Sequence, residues 1–282
     1  MVKTFVMATD LSARSDRALA RALALAREQA AHLTVVHVVD DALPASVADA
    51  QATSARSAIR AHVQDLTGGD SETVSVAIVF GRAFSGILEV AEKAEAEMIV
   101  LGTHREDSFK DMFRGTTAER VIRAGNTPAL VVTERVARPY RHIMIGVDFS
   151  VYSRRAVEFA VAFAPGGTFH LVHAYDVPFK GFLHGKDARD GVSKKDELGF
   201  ERMVDAEMAR FIAGVDGAPR FEQVIAEGMA RDVMHREIER LKPDLLVIGT
   251  HGRTGVAHAF LGSVAEDMLS NPPCDVLAVK AW

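Results

Sequence analysis

The chain has 282 residues, 48% of them hydrophobic and 25% charged, with a formal net charge of −5. That length supplies two cores of ordinary domain size, and the negative balance excludes a nucleic-acid partner held by bulk electrostatics. No apolar run approaches the roughly 20 residues of a membrane span, and the opening Met1 to Ala8 leads at once into Asp10 and a strand–helix pattern, so it reads as a core strand rather than a signal peptide.

Along the chain, short apolar runs alternate with longer helical patterns. In the first half the runs near 2–9, 32–39, 73–79, 97–101 and 129–133 read as strands. The segments near 14–31, 45–66, 84–95 and 116–124 read as helices. Residues 134–141 are charged and carry Pro139, a short linker that divides the chain into domains at 1–137 and 138–282. In the second half, strands are expected near 141–147, 168–175, 220–226, 244–248 and 275–280, with helices near 152–163, 195–213, 230–241 and 263–270. Between them, 176–193 reads as a polar loop with Phe179, Phe182 and Leu183 as an apolar anchor. Cys274, the one cysteine, excludes an internal disulfide and fits a reducing cytoplasm; at a strand start it reads as a small core residue. Strands this apolar belong in a sheet covered on both faces. Alternation of β and α elements implies right-handed crossovers and a parallel sheet. The fold class is therefore α/β: two tandem, doubly wound, five-stranded parallel-sheet domains.

The halves repeat one another. Phe5-Val-Met-Ala-Thr-Asp10-Leu-Ser12 is matched by Ile143-Met-Ile-Gly-Val-Asp148-Phe-Ser150, and the apolar run ending at His37 by the one ending at His173. Gly81, Gly102 and Gly115 recur at the same spacing as Gly228, Gly249 and Gly262. An ordered series of this kind marks an internal duplication.

The richest stretch runs from Gly249 to Ser263. A buried strand, Leu245 to Gly249, enters a loop with Gly252 and Gly255, and a helical pattern opens at Gly262-Ser263. Strand, glycine loop and helix start form an arrangement that cradles phosphate, because glycine admits close approach and the first helical turn offers unpaired N–H groups. Arg253 can neutralise phosphate charge. Asp148, across the switch in strand order, can accept from a ribose hydroxyl or an adenine amine, hold a phosphate-bound Mg²⁺, or simply cap the following helix. No GxxxxGK[ST] P-loop occurs, and the turn after Asp148 lacks the glycines of a dinucleotide fingerprint.

With Gly249-x2-Gly252-x9-Gly262-Ser263 and Asp148 in place, the chain resembles the universal stress protein family, and the resemblance covers the whole length twice, as in a tandem two-domain member. It implies an adenine nucleotide α-hydrolase-like fold and binding of ATP with Mg²⁺ on its phosphates. Adenine would lie at His173-Ala174. Asp148 would meet the nucleoside, with Gly249, Thr250, Gly252, Gly262 and Ser263 at the ribose and phosphates and the Val264 and Ala265 amides beside them. The first half departs at one position: Gly102-Thr-His-Arg105 carries arginine where the second glycine belongs, ahead of Gly115-Thr116. The first domain is therefore expected to bind ATP weakly or not at all.

Histidines suggest no metal centre. His170 and His173 point to opposite faces of one strand, His104 and His251 sit in the glycine loops, and neither HExxH nor a Cys/His pairing occurs. No residue is named as catalytic or as a metal ligand. Three functions stay open: a cytoplasmic, ATP-binding stress-response or signalling module; a slow ATPase or an enzyme autophosphorylating at Ser263 or Thr254; and a scaffold without nucleotide. The last strand of each domain leaves an edge that pairing can cover, so the expected assembly is an intrachain pseudo-dimer and a homodimer of chains, with the downstream partner unknown.

Overall fold

The computed structural model describes residues 3–69, 72–103, 116–133, 138–176, 194–217, 219–252 and 261–280, with side chains from 199 onward in the helix that begins at 194 and not at 200. The first half runs β1 (Thr4–Ala8), α1 (Ala13–Glu28), β2 (His32–Val39), α2 (Ala45–Thr67), β3 (Val74–Phe80), α3 (Ala83–Lys93), β4 (Met98–Gly102), α4 (Thr117–Ala124) and β5 (Ala129–Val132). The second repeats it as β6 (His142–Gly146), α5 (Val151–Phe163), β7 (Thr168–Tyr175), α6 (Lys194–Ala213), β8 (Phe221–Glu227), α7 (Ala230–Leu241), β9 (Leu245–Gly249), α8 (Ser263–Ser270) and β10 (Asp275–Val279). Two helices stop earlier than the apolar pattern suggests. After α1, Ala30 turns left-handed (φ 51°) and the Ala31 N–H returns to the Ala26 carbonyl at 2.8 Å; after α3, Glu95 (φ 47°) and the Ala96 N–H to Ala91 bond of 2.9 Å do the same. This is the Schellman closure built without the glycine that usually announces it. The apolar anchor expected at Phe179, Phe182 and Leu183 lies outside the described residues, as do 134–137 of the linker.

All strands join one ten-stranded sheet in the order β3-β2-β1-β4-β5-β10-β9-β6-β7-β8. Each half is wholly parallel. Its chain order reverses between β1 and β4 in the first half and between β6 and β9 in the second. The switch leaves a crevice beyond the carboxyl ends of those strands. The halves meet where β5 and β10 pair antiparallel, Leu130 opposite Leu277. The expected pseudo-dimer is thus a single continuous sheet, and the strand polarity puts the two switch-point crevices at opposite edges of it.

Side chains alternate between two cores. Phe5 and Met7 face α1 and α2, while Val6 between them faces α3 and α4. The same alternation sends Ile143 and Ile145 towards α5 and α6, and Met144 towards α7 and α8. Both cores run across the seam, so apolar burial itself binds the halves together.

One polar cluster is buried at that seam. The Asp275 carboxylate, at the start of β10, accepts the Tyr140 hydroxyl at 2.6 Å and the Thr133 N–H at 2.8 Å, and lies 3.3 Å from Arg21 Nε. Arg21 also donates to the Arg138 carbonyl at 2.7 Å and stacks over the Tyr140 ring, 4.3 Å from its centroid. Arg21 and Asp275 are 4% and 3% exposed, so neither charge has water to fall back on. Removing one partner of a buried ion pair strands the other. Asp275→Ala is therefore expected to lower the unfolding free energy by about 3–5 kcal/mol, and Asp275→Asn, which keeps an acceptor, by less, as read from urea midpoints. Burial first, and then the neighbouring Asp275, push the Tyr140 hydroxyl well above the ordinary tyrosine range. The folded state then keeps this proton where the unfolded state has lost it. Its contribution is full below about pH 10 and fades as pH rises further. Tyr140→Phe is expected to remove that share of the alkaline loss when the two proteins' urea midpoints are compared from neutral pH upward.

Candidate functional site

In the second half a cavity of about 240 Å³ opens at the switch point between β6 and β9. Of the predicted site residues, Asp148, Ala174, Gly249, Gly252, Gly262, Ser263, Val264 and Ala265 all line it. They arrive from four places: the end of β6, the end of β7, the end of β9 with its loop, and the first turn of α8. Sequence reasoning did not single out Gly146, Ser153, Val172 and Met234, which also belong to the wall. They are the small and apolar residues of ordinary strands and helices, and no local pattern marks them.

Asp148 is held by the turn that follows it. Its Oδ1 accepts the Ser150 N–H at 3.0 Å and the Ser150 hydroxyl at 2.5 Å. The helix cap is Ser150, which accepts the Ser153 N–H, so Asp148 itself is not the cap of α5. Phe149 between them is left-handed (φ 62°), as is its counterpart Leu11 (φ 63°). Such a backbone costs a non-glycine residue about 1–3 kcal/mol. Stacking of Phe149 on His173 (ring centroids 4.2 Å apart) and on Phe211 (5.7 Å) holds it there. His173 meanwhile bonds through Nδ1 to the Val147 carbonyl at 2.7 Å, and His37 bonds to the Thr9 carbonyl at 2.9 Å, so both strand-end histidines brace the loop carrying the aspartate. His170 turns the other way and pairs with Glu222 at 3.1 Å.

Gly249 and Gly252 act through close approach rather than through unusual φ. A Cβ on Gly249 would lie 3.1 Å from the Tyr152 backbone, so this glycine lets α5 pack on the end of β9. A Cβ on Gly252 would lie 3.2 Å from Asp148 Oδ2. The φ of Gly252 is not left-handed, and the close approach of Asp148 is what favours a missing side chain there. Thr250 is buried with its polar groups taken: its N–H donates to the Val279 carbonyl at 3.0 Å, its carbonyl accepts the Gly262 N–H at 2.9 Å, and its hydroxyl meets His251 Nδ1 at 2.9 Å. It ties the two ends of the glycine loop together behind the cavity wall. Arg253 and Gly255 lie outside the described residues, as do His104, Arg105 and Gly115 of the first half.

At the far side, α8 begins with Gly262 as its N-cap and no side chain capping it. Among the described residues, the N–H groups of Ser263, Val264 and Ala265 and the Ser263 hydroxyl make no hydrogen bond. Three amides at a positive dipole end form a mouth suited to an anion. The first half has a smaller cavity, about 160 Å³, lined by Asp10, Ser12, Gly102 and Thr117 among others. Its helix is capped by side chains. Thr116 accepts the Glu119 N–H at 3.1 Å, and Glu119 Oε2 accepts the Thr116 N–H at 3.1 Å, a capping box that occupies two amides of the helix start and sets a carboxylate beside it. Burial raises the pKa of Asp10 in this half, but hydrogen bonds from Ser12 and Ser15 outweigh it and hold the group below the usual carboxylate value.

A family model described as the universal stress protein family matches residues 1–133 and again 139–280. A universal stress protein E homolog of Haemophilus influenzae is 22% identical over 237 residues, covering 80% of this chain and 75% of that one. A universal stress protein of Thermus aquaticus is 31% identical over 144 residues, which is 50% of this chain against 99% of its own, as a duplicated chain should show against a single copy. A crystal structure of a universal stress protein from Archaeoglobus fulgidus superimposes with a TM-score of 0.69 at 19% identity, covering 98% of each chain, a likeness of fold. Matched twice over nearly its full length, the chain belongs to the universal stress protein family.

Proposed function

We propose that the second half binds ATP and that the chain is a nucleotide-responsive stress or signalling module of the cytoplasm. The observation that carries this reading is the row of unpaired amides at the mouth of α8, opening into a cavity whose opposite walls are Asp148 and Ala174. An adenine ring fits against the backbone at the end of β7 beside Ala174. Asp148 accepts from the nucleoside hydroxyls. The phosphates meet Gly252, Gly262 and Ser263 and the amides of Val264 and Ala265, with Gly249 and Thr250 fixing the loop and Arg253 adding positive charge. Mg²⁺ enters as an ion carried by the phosphates. Among the described residues no group of three or more His, Cys, Asp or Glu side chains is placed to hold a metal, and a cation that keeps most of its waters needs only one carboxylate beside the phosphates; Asp148 can supply it. No described helix is long and apolar enough to cross a membrane. The edges of the final strands are spent on each other, so a homodimer of chains uses another surface.

Calorimetric titration of the full chain with ATP and Mg²⁺ is expected to give one equivalent bound. Two equal equivalents would contradict the expected weakness of the capped first half, and no heat at any concentration would defeat the nucleotide reading. Asp148→Ala is expected to weaken binding about tenfold or more, the loss typical of a hydrogen bond to a charged group. Gly262→Ala separates binding from folding: a Cβ there meets only ordinary contacts at 3.7 and 3.8 Å, so the melting temperature should hold. The methyl enters the phosphate path and should cost at least about fivefold in ATP affinity.

A further inference from the structure

The two helix mouths differ although their local sequences share one pattern. Thr116-Thr-Ala-Glu119 and Ser263-Val-Ala-Glu266 carry the same hydroxyl-x-x-carboxylate pattern, which favours a capping box in both. Only the first forms it: Thr116 is the N-cap of α4, whereas α8 begins one residue earlier, with Gly262 as N-cap, Ser263 already in the first turn and the Glu266 N–H on the Gly262 carbonyl at 2.8 Å. In the second, Glu266 Oε1 accepts instead from Arg123 Nη2 at 2.7 Å. Arg123 stands in the last turn of α4, which lies across the seam beside the first turn of α8. The carbonyls of Arg123 and Gly125 accept Lys280 Nζ at 3.2 and 3.1 Å, which fixes this end of α4 to the second half. The counterpart of Arg123, four residues after the equivalent glutamate, is Ser270. Its hydroxyl touches Glu119 Oε1 at 3.3 Å and leaves Oε2 on the Thr116 amide. The glutamate that meets the long cation thus reaches outward from a helix that starts one residue early, and the one that meets the short hydroxyl folds onto its own N-cap.

We infer that Arg123 is a positioning residue for the anion site of the opposite half. By holding Glu266 away from Ser263 it keeps the α8 amides available to phosphate. The inference rests on the proposed reading of that mouth as a phosphate site. A glutamate folded back onto Ser263 would consume one amide and set a negative charge where the ligand must bring its own. Arg123 and Glu266 are 36% and 54% exposed, so the pair adds little stability. Its effect is on competition for the mouth.

The test compares ATP and adenosine binding by calorimetry in full-length variants. Arg123→Ser is expected to weaken ATP about two- to fivefold and to leave adenosine unchanged. Arg123→Lys should keep most of the affinity. Arg123→Ser combined with Glu266→Ala should return ATP binding to the starting level, because no carboxylate remains to close the helix. Unchanged ATP affinity in Arg123→Ser overturns the inference, as does an equal loss for adenosine or a double variant as weak as the single one. If the parent chain binds no ATP, the nucleotide reading fails separately. A crystal structure of Arg123→Ser then decides the positioning role: Glu266 on the Ser263 amide supports it, and Glu266 in solvent overturns it.

Discussion

A parallel five-stranded sheet ends in a strand whose outer N–H and C=O groups need partners, and pairing β5 with β10 satisfies two such rows at once. Everything particular to this chain follows from that junction. It brings Thr133, Tyr140 and Arg21 around the buried Asp275 carboxylate. It fuses the apolar cores on both faces into continuous layers. It also lays α4 against α8 in opposite directions, so that the end of each helix touches the beginning of the other.

Antiparallel neighbours of this kind have complementary dipoles, and the chain uses that geometry asymmetrically. The cation Arg123 stands at the last turn of α4, opposite the open start of α8. The reciprocal place holds Ser270, and there Glu119 remains on its own helix. The two copies have kept one backbone and diverged in what their helix starts offer a ligand. Arg105, whose side chain replaces the second signature glycine, points to the same division of roles from the sequence alone.

The order of strands and helices was legible because each apolar run is short, β-branched and bounded by turn residues, and each helix carries its own periodicity. Helix ends were less legible where Ala30 and Glu95 adopt the left-handed closure without glycine. Eight of the ten predicted site residues line one cavity, since a strand–glycine–helix pattern dictates its own geometry. The causes were harder to read. Gly249 lines the cavity, and its bare α-carbon also admits the backbone of Tyr152, which only the tertiary packing brings near. Asp275 carried a usable signal, a carboxylate opening an otherwise apolar strand, where burial demands partners. The split between Glu119 and Glu266 carried none, because the two segments share a hydroxyl-x-x-carboxylate pattern while α8 caps one residue earlier, on Gly262, and Arg123 belongs to a helix of the other half.

The polarity of the junction has one more effect. Because β5 and β10 run in opposite directions, the two crevices look out from opposing ends of a long slab. A macromolecule that grips one rim has no view of the other. To such a partner the duplicated chain is a single-faced body, and its near-twofold likeness is hidden behind its own width.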